Sequence, residues 1–342
     1  MAEPMTKDSL IVRWRPPSRL FLYGLQATGP LGEIYSAAAI GLLYSDVLDI
    51  AHVYPPGTFD IWNKGVHCAA RGGTPWLLFL DADGRVATGT IDADFGFVQA
   101  KAYPAGSYNT DWEQVAVDGN GDLLMTGAVV GGLTKYGVGQ VEPDGTFIEW
   151  QGEVKLPAPD RLLGLSQVHA WLTTSADSLL PGGTGTSTVW LLHRGSVVGS
   201  RTWSENWTGM AGHGDLLAVY RGERQDPTHT DVIAPHYEVC QISPDNQITT
   251  VWNYDNFPNT VDGPIPVEDI PGTDIDTPSG LLLFYQFAIG SNVAEVRSLS
   301  ELGFARTARL GQLRQIPDNG LGWLSIAPCS DSFETYRELV HP

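Results

Sequence analysis

A strand-like segment that ends in tryptophan recurs along this chain about every 50 residues. Residues 57–62 read Gly-Thr-Phe-Asp-Ile-Trp, and residues 145–150 read Gly-Thr-Phe-Ile-Glu-Trp. Residues 9–14, 196–203 and 246–252 follow the same plan, so the closing tryptophans stand at positions 14, 62, 150, 203 and 252. The steps between them are 48, 88, 53 and 49 residues, and the step of 88 spans two repeats. Such a period indicates a repeat protein whose units bury their faces against one another.

Residues 112–150 show what one repeat contains. Four segments of alternating or continuous apolar residues lie at 112–118, 122–129, 135–142 and 146–150, and glycine-containing turns separate them. Short strands joined by tight turns form an antiparallel meander. A Leu-Leu or Trp-Leu pair marks the second strand of the repeats and begins at positions 77, 123, 171, 216, 281 and 323. Four-stranded repeats of this length predict an all-β fold, the β-propeller.

The number of repeats predicts a seven-bladed propeller in a single domain that spans residues 1–342. The strands of the first blade are expected at 19–24, 33–41, 46–54 and 57–62. The last repeat, at 313–340, supplies three strands, and the N-terminal strand at 9–14 supplies the fourth. This N-terminal strand would close the last blade and remove the open sheet edges. Six blades are the alternative if the division of residues 280–311 and 313–340 into two repeats is wrong.

The general design of the repeats is similar to that of a known group of propellers. Residues 112–125 and 207–218 share an entry tryptophan, an alternating strand, a turn with glycine beside Asp or Asn, and a Leu-Leu strand. In these features most of the chain resembles sugar-binding propellers of the tachylectin and tectonin kind. The resemblance implies a propeller that binds carbohydrate. The repeats here are unequal in length and do not repeat a sugar-site signature, so no binding residue is carried over.

Charge and composition exclude several classes of partner. The chain has 20 Lys and Arg against 39 Asp and Glu, which gives a net charge of −19 at pH 7. Because phosphate contacts need clustered basic side chains, we expect neither nucleic acid nor an anionic membrane surface as a partner. Apolar runs such as residues 36–44 are too short to span a bilayer. Residues 1–8 lack a signal-peptide pattern and the three cysteines lie far apart, so we expect a cytoplasmic protein without a disulfide framework.

The loops that enter the first strands hold the main candidates for a ligand site. They carry a polar residue followed by a large one, or an aspartate alone, at Asp111-Trp112, Asp160-Arg161, Asn206-Trp207 and Asp276. In a propeller these loops meet on one face, so their side chains would converge on a central funnel. Asp111, Asp160 and Asp276 would then bind Ca²⁺, which takes roughly six to eight oxygen ligands. The alternative is that each Asp caps its turn and each Trp packs between blades.

Two longer segments are further candidates. Residues 224–236 hold His229, Asp231 and His236, which could bind a ligand or metal or transfer protons. Residues 255–279 form an acidic insertion with six carboxylates and five prolines, which could cap the funnel as a lid or hold a cation. The alternatives are an exposed polar loop for the first segment and a solvated insertion that aids solubility for the second.

These features predict a soluble propeller that binds a small molecule, a carbohydrate or a partner segment in a single funnel on the loop face. The alternative is an enzyme, a hydrolase, isomerase or cyclase that uses funnel carboxylates with or without Ca²⁺. Unequal repeats favour one catalytic funnel, whereas the lack of a nucleophile motif in the sequence favours a binding module. A purely structural scaffold is the third possibility. Ca²⁺ is the candidate cofactor, and no other is indicated.

Overall fold

The computed structural model of this chain consists of β-strands and the turns between them. It describes residues 18–28, 34–43, 48–55, 58–59, 65–71, 74–109, 111–175, 185–207, 209–213, 215–221, 224–225, 232–233, 236–254, 281–288, 291–300, 303–310 and 325–328. Every regular element in these ranges is a β-strand, so the predicted all-β class is confirmed. Within the same ranges there is no helix with the length and apolar character that a membrane span requires.

Most of these strands belong to four-stranded antiparallel sheets. Sheet 1 contains β1 (Ser18–Thr28), β2 (Ile34–Leu43) and β3 (Leu48–Val53), with β25 (Ser325–Pro328) on the other side of β1. Sheet 2 contains β4 (Val66–Arg71), β5 (Thr74–Leu80), β6 (Val86–Ile91) and β7 (Phe97–Tyr103). Sheet 3 contains β8 (Gln114–Val117), β9 (Asp122–Val130), β10 (Leu133–Val141) and β11 (Phe147–Val154). Sheet 4 contains β12 (Arg161–Gly164), β13 (His169–Thr174), β14 (Ser187–His193) and β15 (Ser196–Trp203).

The remaining strands follow the same plan with two additions. Sheet 5 contains β16 (Gly209–His213), β17 (Leu216–Arg221), β20 (His236–Ile242) and β21 (Ile248–Tyr254). Between β17 and β20 lies a small two-stranded hairpin of β18 (Arg224–Gln225) and β19 (Val232–Ile233). The described part of sheet 6 contains β22 (Leu281–Ala288), β23 (Ser291–Ser300) and β24 (Gly303–Leu310).

The second strands of sheets 2 to 5 carry the deepest part of the core. These strands are β5, β9, β13 and β17, and the following leucines on them are fully buried: Leu77, Leu78, Leu123, Leu124, Leu172 and Leu217. Consecutive apolar residues point to opposite faces of a strand, so both faces of each sheet must be covered by neighbours. The predicted second-strand signature is therefore confirmed at these four places.

The hydrophobic core lies between adjacent sheets. Trp76 and Leu78 of sheet 2 pack with Leu123 and Phe147 of sheet 3, and similar clusters join the other neighbouring pairs from sheet 1 to sheet 5. The strands β25, β4, β8, β12, β16 and β22 contact one another in this order. Sheets that pack face to face in sequence, with successive strands adjoining along one side, are consistent with the predicted β-propeller.

Sheet 1 combines strands from distant parts of the chain. β25 pairs antiparallel with β1, so that Ser325 lies opposite Tyr23 and Pro328 lies opposite Leu20. Three of the four strands predicted for the first blade correspond to β1, β2 and β3. The fourth was predicted at residues 57–62, of which the structure describes Thr58 and Phe59, and these two form a bend. The fourth strand of the described sheet is β25, which lies next to β1 and not next to β3. The strand predicted at residues 9–14 lies outside the described residues.

The Asp-Gly-Asn-Gly sequence at residues 118–121 forms the turn between β8 and β9. The Asp118 carboxylate accepts hydrogen bonds from the backbone N–H groups of Asn120 and Asp122, both at 2.9 Å. Gly121 has a φ of 78°, a left-handed conformation that glycine adopts at little cost. The aspartate is thus occupied within its own turn, and it is also buried against sheet 4.

Gly164, at the end of β12, provides a test of how closely sheets 3 and 4 must pack. A Cβ atom at this position would overlap the carbonyl oxygen of Val117 on β8. The Gly164→Ala substitution is expected to lower the free energy of unfolding by about 1–3 kcal/mol, because the two sheets must move apart. At Gly131 a Cβ would meet nothing within 4 Å, and only its φ of 62° disfavours alanine. Gly131→Ala should therefore lower the free energy of unfolding by less than Gly164→Ala does. Equal losses for the two variants in urea denaturation would contradict the close packing of sheets 3 and 4.

Candidate functional site

The loops that enter the first strands of sheets 3 and 4 lie at the same end of the two sheets. The side chain of Gln114 on β8 donates a hydrogen bond to the carbonyl oxygen of Pro159 at 2.7 Å. At the other end of the same two strands, the N–H of Gly119 donates to the carbonyl oxygen of Leu165 at 2.6 Å. β8 and β12 therefore run in the same direction. Residues 104–109, 111–113 and 155–160 consequently lie at one end of the sheets.

Two further segments belong to this end. Residues 81–85 of sheet 2 adjoin the loop before β8, because the N–H of Gly106 donates to the carbonyl oxygen of Asp83 at 2.7 Å. Residues 128–133 comprise the end of β9, the turn at 131–132 and the first residue of β10. The preceding Thr126 accepts a hydrogen bond from the N–H of Glu113 at 2.6 Å. We call the surface formed by residues 81–85, 104–109, 111–113, 128–133 and 155–160 the loop end.

Asp111 and Asp160 both lie at the loop end, as expected, but in different environments. Asp111 is exposed, and its backbone N–H donates to the side chain of Asn109 at 3.2 Å. The Asp160 carboxylate accepts hydrogen bonds from the N–H of Thr174 at 2.6 Å and from its hydroxyl at 2.7 Å. Arg161 donates to the backbone carbonyl of Asp160 at 3.0 Å. Asp160 thus acts as a cap that joins β12 to the end of β13.

The two tryptophans of the predicted ligand site lie in the hydrophobic core. Trp112 is 5% exposed between sheets 2 and 3, and Trp207 is 1% exposed between sheets 4 and 5. Trp207 meets Trp203 edge to face at 6.3 Å, and its backbone N–H donates to the Ser187 hydroxyl at 2.8 Å. Asn206 is half-buried beside it. The broad faces of both indoles are covered by protein, so neither offers an open stacking surface to a ligand.

The other predicted site residues are only partly described. Asp276, His229 and Asp231 lie outside the described residues, as does the insertion at 255–279. His236 begins β20 and stands opposite Arg221 of β17. Within the described ranges, no group of three or more His, Cys, Asp or Glu side chains is placed to hold a metal ion. The Ca²⁺ site of Asp111, Asp160 and Asp276 therefore stays a prediction.

A cleft opens at the loop end between sheets 2 and 3. It is about the size of one water molecule, and the polar and aromatic residues that line it include Asp81, Arg85, Tyr108, Asn109, Trp112 and Glu149. Tyr108 and Asn109 come from the loop before β8, Asp81 and Arg85 come from the turn after β5, and Glu149 comes from β11. The cleft thus joins three separate segments, and two carboxyl groups line it, those of Asp81 and Glu149.

The acidity of Glu149 is altered by its place in the cleft. Burial raises the pKa of Glu149, while the backbone N–H of Asn109 and the indole of Trp112 act in the opposite direction. Burial also raises the pKa of Tyr108 to about 12, so this phenol stays protonated and donates to the carbonyl oxygen of Phe147 at 2.7 Å. Arg85 forms ion pairs with Asp81 and with Asp83. Among the described cations, none forms an ion pair with Glu149.

An apolar hairpin tip projects beside this cleft. Residues 128–132 are exposed without interruption, with Val129 at 45% and Val130 at 57%. Gly131 and Gly132 follow with positive φ values of 62° and 81°. Gly127, at the base of the tip, is packed against Asp111 and Trp112. Val129 and Val130 are the last two residues of β9, so the exposed valines stand directly before the glycine turn.

Sequence reasoning missed Glu149, Tyr108, Val129 and Val130 as site residues. Glu149 stands in a segment that was interpreted as the fourth strand of a repeat, where an acidic residue is expected to face solvent. Val129 and Val130 continue the apolar run of the second strand, and alternation alone does not show where that strand leaves the core. The pair of glycines after Val130 was the available signal, because it indicates that the chain turns directly after the valines.

Comparison with known proteins gives weak structural likenesses only. No protein-family model and no curated protein matches the chain. A solved structure of a Lactobacillus plantarum protein is 11% identical, with 91% of this chain and 98% of that chain covered, at a TM-score of 0.39. Sqt1 from Saccharomyces cerevisiae is 10% identical, with coverages of 87% and 76% and a TM-score of 0.38. A mutant of the Synechocystis apocarotenoid oxygenase is 7% identical, with coverages of 84% and 74% and a TM-score of 0.35. At such scores the interpretation of the fold rests on the sheets themselves.

Proposed function

We propose that this chain is a β-propeller of six sheets that binds a single ligand at its loop end. The contacts from β25 through β4, β8, β12 and β16 to β22 support six, the alternative count from the sequence, over seven. The pairing of β25 with β1 supports a ring that is closed by one C-terminal strand and three N-terminal strands. Closure of this kind joins the two ends of the chain through a full ladder of hydrogen bonds and protects the sheet edges.

The observation that carries the binding function is the coincidence of three features on one surface. The loop end holds the cleft around Glu149, the exposed carboxylate of Asp111 and the exposed apolar tip at Val129 and Val130. Ligand sites typically combine a concave apolar surface with a few convergent polar groups. Loops on a rigid β-scaffold are also the usual place for such sites. The three features come from sheets 2 and 3, so they describe one site and not a repeated array.

The ligand classes that the sequence predicted are not equally favoured by this surface. A carbohydrate needs an open aromatic face, and Trp112 and Trp207 are both covered. A partner segment or a polar small molecule suits a surface with an apolar tip and unpaired carboxylates. The Ca²⁺ ligand set of Asp111, Asp160 and Asp276, and the enzyme alternative that uses funnel carboxylates with or without Ca²⁺, stay as second proposals.

Thermal unfolding with defined probes tests the binding function. We expect that CaCl₂, a neutral sugar or a short peptide, at about 100 times its Kd, raises the Tm by roughly 2–4 °C. The shift should be lost in the double variant Asp111→Asn, Asp160→Asn. The control is Asp144→Asn with Asp245→Asn, which removes the same charge from exposed turns at the opposite end of sheets 3 and 5. Shifts that are equal in both double variants, or no shift with any probe, would contradict the proposal.

A further inference from the structure

We infer that the ligand of the loop end is a polypeptide segment of a partner protein in which Lys or Arg residues stand next to large apolar residues. This inference rests on the proposed binding function and specifies the partner for the same surface. It is carried by the apolar tip, by the carboxylates around it and by the cleft beneath it. The tip accounts for the apolar residues of the segment, the carboxylates account for its positive charge, and the cleft provides a place for one cationic group.

The apolar tip selects for large apolar side chains. Val129 and Val130 expose about half of their surface at the apex of the hairpin, and the adjoining residues 128, 131 and 132 are exposed as well. Nothing lies within 4 Å of the positions where Gly131 and Gly132 would carry a Cβ, so the tip stands clear of the rest of the described protein. Exposed contiguous apolar surface rimmed by polar groups marks a contact site for a partner.

The charges around the tip select for a cationic segment. Asp111 and Glu113 precede β8, Glu153 lies near the end of β11, and all three are exposed. No cation in the described part of the chain forms an ion pair with Asp111 or Glu113. The net charge of −19 adds a long-range attraction for basic partners and repels anionic ones. A segment that buries the valines would thus bring its cations beside unpaired carboxylates.

The cleft provides a place for one cationic group. Its lining brings the carboxyl group of Glu149, which forms no ion pair with a described cation, beside Tyr108 and Asn109, and a carboxylate is a favourable neighbour for an ammonium group. Arg85, which also lines the cleft, is paired with Asp81 and Asp83. The size of the cleft, about one water molecule, also fits one ammonium group. Gly127 links the two sites, since it lies between Trp112 in the cleft and the start of the exposed tip.

Binding of fluorescein-labelled synthetic peptides to the full chain tests this inference. Three 12-residue peptides would be compared by fluorescence anisotropy: one of Lys and Leu, one of Lys and Ser, and one of Glu and Leu. We expect the Lys-Leu peptide to bind most tightly. The double variant Val129→Ser, Val130→Ser should weaken its binding about tenfold, because two apolar contacts are lost, and should leave the Lys-Ser peptide nearly unchanged.

The charge contribution is tested with matched double variants. Asp111→Asn with Glu113→Gln should weaken binding of both basic peptides and reduce the salt dependence, while Asp144→Asn with Asp245→Asn should have little effect. Equal effects of the two double variants would show unspecific attraction to the acidic protein and would overturn the inference. A Lys-Leu peptide that binds no more tightly than the Lys-Ser peptide would overturn it as well. If a neutral sugar or CaCl₂ instead binds in an Asp111-dependent manner, the partner assignment fails while the binding function stands.

Discussion

Replacing Arg201 by methionine is expected to lower the free energy of unfolding by about 3–5 kcal/mol, since it leaves a buried carboxylate without its cation. Arg201 on β15 of sheet 4 reaches Glu238 on β20 of sheet 5, with 2.6 Å between Nη2 and Oε1. Glu238 is 5% exposed and also accepts a hydrogen bond from the hydroxyl of Thr250. The guanidinium group lies 4.5 Å from the ring centre of Trp203, so it fills the space between the two sheets.

The surroundings of this ion pair explain why the loss should be large. Cys240 is fully buried next to Glu238, and burial together with the Glu238 charge raises the pKa of its thiol to about 12. The thiol therefore stays neutral and adds no second negative charge beside Glu238. Methionine keeps the bulk and most of the packing of the arginine stem, so the effect reports mainly on the charge.

Chemical denaturation of three variants separates the ion pair from the packing. The double variant Arg201→Met, Glu238→Gln should be clearly more stable than Arg201→Met alone, because it contains no unpaired buried charge. The exposed pair of Lys101 and Asp144, at 3.5 Å, is the control, and Lys101→Met should cost less than about 1 kcal/mol. If Arg201→Met is no less stable than the double variant, the buried pair does not hold sheets 4 and 5 together as described.

The second large effect is expected in the pH dependence of stability, at the junction of sheets 3 and 4. Asp122 forms an ion pair with Arg194, with 2.9 Å between Oδ2 and Nε, and accepts a hydrogen bond from Gln140. His169 is fully buried, and its Nε2 lies 3.2 Å from the carbonyl oxygen of Ala116 and 3.1 Å from that of Asp122. Because both neighbours of Nε2 are carbonyl oxygens, Nε2 carries a proton, and burial keeps the imidazole neutral by disfavouring a second proton.

Two groups at this junction respond to pH in opposite directions. Burial, together with the charge of Asp122, raises the pKa of Asp118 from 3.8 to about 7. Burial lowers the pKa of His169 from 6.5 to about 4. The folded state therefore holds the Asp118 proton more tightly than the unfolded state, so this group lowers stability as the pH rises from about 4 to 7. His169 binds its proton less tightly when folded, so it lowers stability as the pH falls from about 6.5 to 4.

The Asp118→Asn variant separates the two contributions. Asparagine keeps the side-chain oxygen that accepts the turn hydrogen bonds and carries no charge, so at pH 8 the variant should be more stable than the natural chain by up to about 4 kcal/mol. Between about pH 6.5 and pH 4 the variant should lose about 3 kcal/mol through His169 alone, whereas the two groups largely cancel in the natural chain. Denaturation curves at several pH values provide the measurement.

An exposed aspartate serves as the control for this pH profile. Asp144→Asn changes the net charge by the same amount but removes an exposed carboxylate, so it should leave the profile close to that of the natural chain. If the free energy of unfolding changed with pH in the same way for Asp118→Asn and for the natural chain, burial of Asp118 would not control its ionisation.

Part of the candidate site was predictable because it follows from local turns. The repeat pattern placed Asp111 and Asp160 in the loops that enter the first strands, and both residues lie at the loop end. Trp112 and Trp207 were predicted as binding surfaces, but a large aromatic ring at the start of a strand suits a ligand site and a core equally well. Only the position of the neighbouring sheet shows that these rings are covered. Glu149 entered the site for the same reason, because a second sheet packs over its strand.

The sequence by itself determined most of the strands, their turns and the deeply buried second strands of sheets 2 to 5. These features depend on contacts between residues close in the chain, such as the alternation of apolar side chains and the aspartate turn at Asp118. The tertiary structure decided that β25 completes sheet 1, because a pairing between segments about 300 residues apart leaves no local pattern. It also decided which acidic and aromatic residues meet at the loop end, since burial and pKa depend on the sheet packed alongside and not on neighbours in the sequence.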